Sequence, residues 1–327
     1  MAGDHHHALA SGERALALAD ALEDDRARVV GTYSVGLTNI YLGNYRAAAD
    51  SLRRTIGLLD PDAVTERFGM AFPAAVAART YLGLALAELG DFADATAIGC
   101  QAVEIAEAIN HPQSRIFAAY HLEYDYLRQG NFEAAIRILE QALVLVDEAD
   151  CPGHLPSAAC IADTAYARGG RLDAGLELVK RGIEASKSMK IRGARSLHVR
   201  LRGETLLLAG DAGLAGELAR EALDRAVHCH ERGWEAWARW LLGEAAARSE
   251  SGADAVDHYE RARLLAVELG MRPLEAHCHH AVGTLRRRQG QRIETRGQLA
   301  IAARTYRELA MPYWEEQAES ELRAMAD

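Results

Sequence analysis

Residues 114–148 read SRIFAAYHLEYDYLRQGNFEAAIRILEQALVLVDE. Two stretches of good helix formers flank Gly130-Asn131-Phe132, so the segment reads as helix A from Pro112 or Ser114 to Gln129, a turn, and helix B from Glu133 to Glu148. Glycine closes the first helix because it takes a left-handed conformation without a side-chain clash, and Asn131 stands where a side chain caps the second. The same turn returns as Gly3-Asp4-His5, Gly43-Asn44-Tyr45, Gly90-Asp91-Phe92, Gly170-Arg171-Leu172, Gly210-Asp211-Ala212 and Gly290-Gln291-Arg292. Successive turn glycines lie 40, 47, 40, 40, 40 and 80 residues apart, and the long gap holds one degenerate turn over Glu250-Ser251-Gly252-Ala253-Asp254.

Small residues keep the same register. Five after the turn come Ala8, Ala48, Ala95, Ala135, Gly175, Ala215, Ala255 and Thr295; twelve after it come Ala15, Thr55, Ala102, Ala142, Gly182, Ala222, Ala262 and Ala302. Seven before it stand Gly36, Gly83, Glu123, Asp163, Gly203, Gly243 and Gly283. Small side chains at fixed places on both rods of a hairpin let the helix axes approach and interlock. A lone hairpin cannot bury both faces, so the units must stack, with the A helices on the concave side. The expectation is an all-α, right-handed superhelix (an α-solenoid) of about seven to eight hairpins in one domain, 1–327. It divides into a half repeat over 1–28, repeats over 29–311 and a capping helix over 312–327.

These residues resemble the tetratricopeptide repeat, whose ordinary period is about 34 residues; the 40-residue period is similar to the long-helix versions of bacterial signalling proteins. At the C-terminus, Gly270-Met271-Arg272-Pro273-Leu274, Ala276-His277-Cys278-His279, Gly290-Gln291 and Tyr306-Arg307-Glu308-Leu309-Ala310-Met311-Pro312-Tyr313-Trp314 resemble the close of tetratricopeptide regions in bacterial regulators with nucleotide cyclase and AAA-type or STAND-type ATPase domains. The resemblance implies a sensor or scaffold end of such a regulator. The sequence holds no GxxxxGK[ST] phosphate loop, no GxSxG and no HExxH, and no catalytic residue, cofactor or metal is expected.

Composition agrees. The 327 residues are 49% hydrophobic but 6% aromatic, an Ala- and Leu-rich balance that favours helix. Lys+Arg 37 against Asp+Glu 47 gives 37 − 47 = −10, which argues against a nucleic-acid partner. Five scattered cysteines without a CxxC pair, no secretory leader and no membrane-length apolar run point to a cytoplasmic chain. The first turn has no helix A before it, which implies either upstream sequence or self-association through the N-terminal edge.

Projected from the turn register, the concave face carries Tyr33, Leu37, Tyr41, Thr80, Leu84, Phe117, Tyr120, Tyr124, Arg128, Thr164, Arg168, Arg200, Glu204, Trp237, Trp240, Glu244, Arg248, His277, His280, Arg287 and Arg288. Aromatic and Arg residues dominate interface hot spots, so Tyr33, Tyr120, Tyr124, Arg128, Arg168, Arg200, Trp237, Trp240, Arg248 and His280 are the candidate groove for a protein or peptide segment. The competing structural reading has Tyr and Trp filling gaps between A helices. Glu123 and Asp163, at a close-packed crossing, either tilt to the rim to pair with Arg128 or Arg168 or form an acidic subsite for a cationic group. Seven extra residues around Pro61-Asp62 and Phe68–Pro73 make either a contact loop or a neutral insertion. His277 and His280 could share a metal, but no third ligand follows locally. The function expected is a noncatalytic binding scaffold or sensor; the alternative is a small-molecule effector domain with a pocket in the superhelix.

Overall fold

A computed structural model describes residues 4–189, 196–248 and 254–325. Helix α1 (His5–Ala21) precedes seven hairpins: α2 (Asp25–Leu42) with α3 (Tyr45–Leu58), α4 (Ala74–Leu89) with α5 (Phe92–Ala108), α6 (Pro112–Gln129) with α7 (Phe132–Glu148), α8 (Leu155–Arg168) with α9 (Leu172–Ser188), α10 (Ser196–Leu208) with α11 (Ala212–His228), α12 (Arg232–Ala246) with α13 (Ala255–Leu269), and α14 (Arg272–Arg288) with α15 (Arg292–Glu308). Helix α16 (Pro312–Arg323) follows. Among the described residues there is no strand, and no helix is long and apolar enough to cross a membrane. The fold is a tetratricopeptide-like superhelix.

The periodic small residues sit where the hairpins interlock. From α3 onward, all seven at the first position and all seven at the second are buried. Ala8 and Ala15, on α1, are exposed. At the crossing itself a Cβ on Gly36 would lie 2.8 Å from Leu52 Cγ, and one on Gly283 the same distance from Leu299 Cγ. The turn glycines are left-handed as expected, with φ of 81° at Gly43 and 88° at Gly130. Capping is only partly as read: Asn131 accepts from the Ala134 N–H at 3.2 Å and Asp211 from Leu214 at 3.0 Å, whereas Asn44 turns away and donates to Asn39 Oδ1. The turns at Gly3 and Gly252 lie outside the described residues.

The links between hairpins carry a second left-handed position that the sequence reading missed. Asn110, Asp150, His230, Gly270 and Ala310 take φ of 49°, 50°, 57°, 74° and 52°, each ending a B helix. They recur at multiples of 40 residues, but Asn, Asp, His, Gly and Ala share no side-chain chemistry, so composition hides them.

Consecutive A helices touch one another around an inner ring, and the ribbon then meets itself. Helix α2 contacts α12 and α4 contacts α14, in each case five hairpins further on, so about five hairpins complete one turn. The A-to-B turns of the first three hairpins form one edge of this seam. A Cβ on Gly43 would lie 2.8 Å from the Gly233 nitrogen, one on Gly90 2.8 Å from Leu309 Cδ2, and one on Gly130 2.7 Å from Trp314 Nε1. Gln129 Nε2 also donates to the Ala310 carbonyl at 3.1 Å. The described chain exposes 14865 Å², close to the roughly 13,000 Å² that size scaling gives a compact protein of this mass. The superhelix is closed.

Candidate functional site

Closure decides what the concave face can do. Five hairpins per turn leave a narrow axis, and side chains from α4, α6, α10 and α12 fill it. Glu88, near the end of a helix buried on almost every side, accepts from the Trp237 indole N–H at 2.8 Å and from the Tyr124 hydroxyl. The Arg128 guanidinium lies 4.3 Å from the Trp237 ring centre and 5.1 Å from that of Tyr124, and the Arg200 guanidinium lies 5.1 Å from Trp237. Glu204 pairs with Arg200 and, at 3.7 Å, with Arg128. Two carboxylates face two guanidiniums, so the plug is charge-balanced. Burial and the adjacent Arg128 lower the Arg200 pKa, while Tyr124, Glu88 and Tyr45 hold its proton.

An open groove presenting these residues to a partner is therefore corrected by the structure. Trp237, Tyr124 and Arg200 are 1%, 1% and 0% exposed, and Tyr120, Arg128 and Trp240 are also buried. The turn register places them on the inner face, but the tight turn leaves no channel in front of them. Tyr120 belongs to an aromatic nest with Tyr81, Phe117 and His121. Tyr33 stands beside it, its ring 6.3 Å from that of Tyr81. The insertion closes this nest: Phe72 stacks on Phe117 at 4.1 Å with planes 12° apart. Phe72 was legible only as one apolar residue in a loop.

Glu123 and Asp163 neither tilt to the rim nor face a groove. Both are 0% exposed, and neither has an Arg ion-pair partner among the described residues. Burial and the neighbouring Asp163 hold Glu123 well above the usual carboxylate range. Burial pushes Asp163 up to about 7, against the opposing pull of hydrogen bonds from Thr205 and Thr164 and the charge of Arg202. Asp125, which the sequence reading passed over, is raised by burial and by Glu88; its Oδ2 fills the space beside Gly83.

A recess opens on the inner face between α8, α12, α14 and α16. Its volume is about 150 Å³, and its lining includes Arg168, Trp240, Glu244, Arg248, His277, His280, Thr284, Arg288, Trp314 and Glu321. The Arg168 guanidinium lies 4.9 Å from the Trp314 ring centre. Arg248 pairs with Glu244 at 2.9 Å, and Glu244 also accepts from Tyr259. Glu321 takes Arg287 at 3.3 Å and accepts from Thr284. His280 approaches Glu321 at 3.4 Å, and His277 shares a 2.8 Å hydrogen bond with Tyr306. Burial, with Arg128, His280 and Arg168 nearby, drives the His277 pKa well down, so its ring is neutral. Among the described residues no group of three or more His, Cys, Asp and Glu could hold a metal ion, and all five cysteines are free. Of the ten candidate groove residues, Arg168, Trp240, Arg248 and His280 therefore share this recess, while Tyr124, Arg128, Arg200 and Trp237 form the plug. Trp314 was missed because it stands on α16, outside the A-helix register, whereas Thr284 on α14 holds the same register position as Tyr124, Thr164 and Glu204 and was within reach of it.

No protein-family model and no curated protein matches the chain. Solved structures do. A Rap protein complexed with competence and sporulation factor is 12% identical with TM-score 0.59, over 98% of this chain and 94% of that one. The Rap conjugation gene regulator of plasmid pLS20, in complex with the Phr* peptide, is 12% identical with TM-score 0.61, over 92% and 77%. Aspartyl phosphate phosphatase F from Bacillus subtilis is 13% identical with TM-score 0.57, over 74% of this chain and 60% of that one. At these identities the likeness establishes a shared superhelical repeat fold.

Proposed function

We propose that this chain is a noncatalytic, peptide-sensing module of a signalling protein, binding its ligand at the inner-face recess. The observation that carries the reading is the recess itself: the plug and the aromatic nest fill the rest of the axis, and a cleft with cationic and indole walls is left open. Two proteins of similar fold were solved in complex with competence and sporulation factor and with the Phr* peptide, which supports a peptide as the ligand class. The free cysteines suit a reducing compartment. A bound ligand would bias the equilibrium between the closed seam and a loosened one, which is how a site on the axis communicates with attached domains.

The small size of the recess favours a second reading, a metabolite sensor, because 150 Å³ matches an engineered cavity that takes benzene. A thermal-shift screen separates the two. A peptide panel that raises the melting temperature where metabolites do not supports the peptide sensor, and the reverse result replaces it with the effector domain.

A further inference from the structure

Among the described residues every B helix packs along the A helix that follows it except α9, which scarcely touches α10. The cause lies on α9 itself. Gly175 and Gly182 stand where the other hairpins carry Ala or Thr. A Cβ on Gly175 would lie 2.8 Å from the Asp163 carbonyl oxygen, and one on Gly182 2.8 Å from Ala159 Cβ. Helix α9 therefore sinks onto α8 and draws away from α10, since bare backbone permits the closer approach. Further along, Thr164 still joins α8 to α10, donating to the Leu201 carbonyl at 3.2 Å and meeting the Thr205 hydroxyl at 3.2 Å. The two hairpins thus splay into a wedge of about 350 Å³. Beside it Val199 falls into a small hydrophobic cluster with Ala222 and Ala238, apart from the main core. The volume lies within the roughly 300–1,000 Å³ of small-molecule sites, and the wedge shares no lining residue with the inner-face recess.

The lining is amphipathic. Val179 and Ile183 of α9, Val199 of α10 and Leu218 of α11 supply apolar walls, and Ser157 and Ser186 add hydroxyls that bond no other described residue. Burial, with Asp163 nearby, pushes the Cys160 thiol up to about 12, so that wall is neutral. Glu221 already pairs with Arg225 at 2.9 Å. Arg202, exposed in the same lining, has no carboxylate within 4.0 Å among the described residues. Its charge reaches Asp163 through space, but burial raises that acid to about 7, so Asp163 is only partly ionised at neutral pH and leaves part of the positive charge uncancelled.

We infer that this wedge binds a small amphipathic acid, its apolar skeleton against Val179, Ile183, Val199 and Leu218 and its anionic group on the Arg202 guanidinium. A cavity of about 150 Å³ admits benzene, so about 350 Å³ takes a skeleton of roughly ten carbons together with its acid group. Guanidinium forks hold a carboxylate bidentately, and a ligand in the wedge ties α9 to α10 where the chain itself does not. This site stands apart from the peptide-sensor reading, and neither depends on the other.

Isothermal titration calorimetry of the full chain tests this with four probes: phenylbutyrate, decanoate, phenylbutyramide and acetate. Both long acids should bind one per chain, and the amide at least about tenfold more weakly than phenylbutyrate. Acetate, which has no skeleton to bury, should not bind up to about 10 mM. Arg202→Gln should bring phenylbutyrate down to the affinity of the amide, and Arg202→Lys should keep part of the preference. Ser186→Phe, which fills the wedge, should abolish binding of acids and amide alike with the melting temperature of the free protein retained; should that variant unfold, the exposed Arg202 still carries the test. Equal affinity for acid and amide overturns the proposal, as does unchanged acid binding in Arg202→Gln or in a folded Ser186→Phe. So does the absence of binding by either long acid up to about 1 mM, or acetate binding as tightly as they do. None of these results bears on a peptide at the inner-face recess.

Discussion

Replacing Asp163 with Asn changes one oxygen and should flatten part of the protein's pH profile. The Asp163 carboxyl is 0% exposed, faces Glu123, and has a pKa raised from 3.8 to about 7. A raised acid binds more protons folded than unfolded, so its contribution is fully present below the unfolded pKa and is lost as pH rises through the folded one. The shift of about 3 units corresponds to roughly 4 kcal/mol over the whole window, of which about 2–3 kcal/mol falls between pH 5 and pH 8. The histidines with lowered pKa, His111, His154, His258 and His277, act in the opposite sense below pH 6.5, but they are common to both proteins and cancel in the difference. Urea unfolding of wild type and Asp163→Asn at half-unit steps from pH 5 to pH 8 measures it. Wild type should lose about 2–3 kcal/mol relative to the variant as pH rises. A difference that is constant with pH, or that grows in favour of wild type, would refute the assignment of a protonated acid at this crossing.

Other perturbations test the plug and the seam. Trp237→Phe keeps an aromatic six-membered ring but trims the buried indole and removes one of the two donors to buried Glu88, and should cost at least about 1–3 kcal/mol in chemical unfolding. Gly43→Ala should destabilise by at least about 1–2 kcal/mol, because φ is 81° and the new Cβ would press on the Gly233 nitrogen. Gly57→Ala, on α3 with nothing within 4 Å, should instead stabilise by about 0.5–1 kcal/mol; equal effects at the two glycines would contradict the seam. Ala310→Gly, at φ 52°, should raise the melting temperature, since a left-handed alanine carries about 1–2 kcal/mol of strain that glycine avoids.

How far the molecule can be read without coordinates follows from where the information is stored. Hairpin packing is local: Ala48, Ala95 and Ala135 each report the approach of two adjacent rods, so the period gives the helices, turns and buried faces directly. The pitch is different in kind. It sums small rotations between neighbours over five hairpins, and nothing near Gly43 signals that Gly233 will meet it. The inner-face residues were therefore identifiable, but an open groove and a filled axis share one register. Glu88 could have been singled out as the acid near the end of α4, where 15 of 16 residues are buried, since a helix apolar on all sides has no solvent face to offer a charge. Phe72 and Trp314 reach the inner face from outside the repeat, where periodicity gives no guidance.

Closure of the superhelix is the claim on which the filled axis depends, and small-angle X-ray scattering on the protein in solution tests it most directly. A closed turn predicts a radius of gyration of about 20 Å, the value for a compact chain of this length, with a single-peaked distance distribution. A clearly larger radius with a long tail, as an open spiral would give, would contradict it.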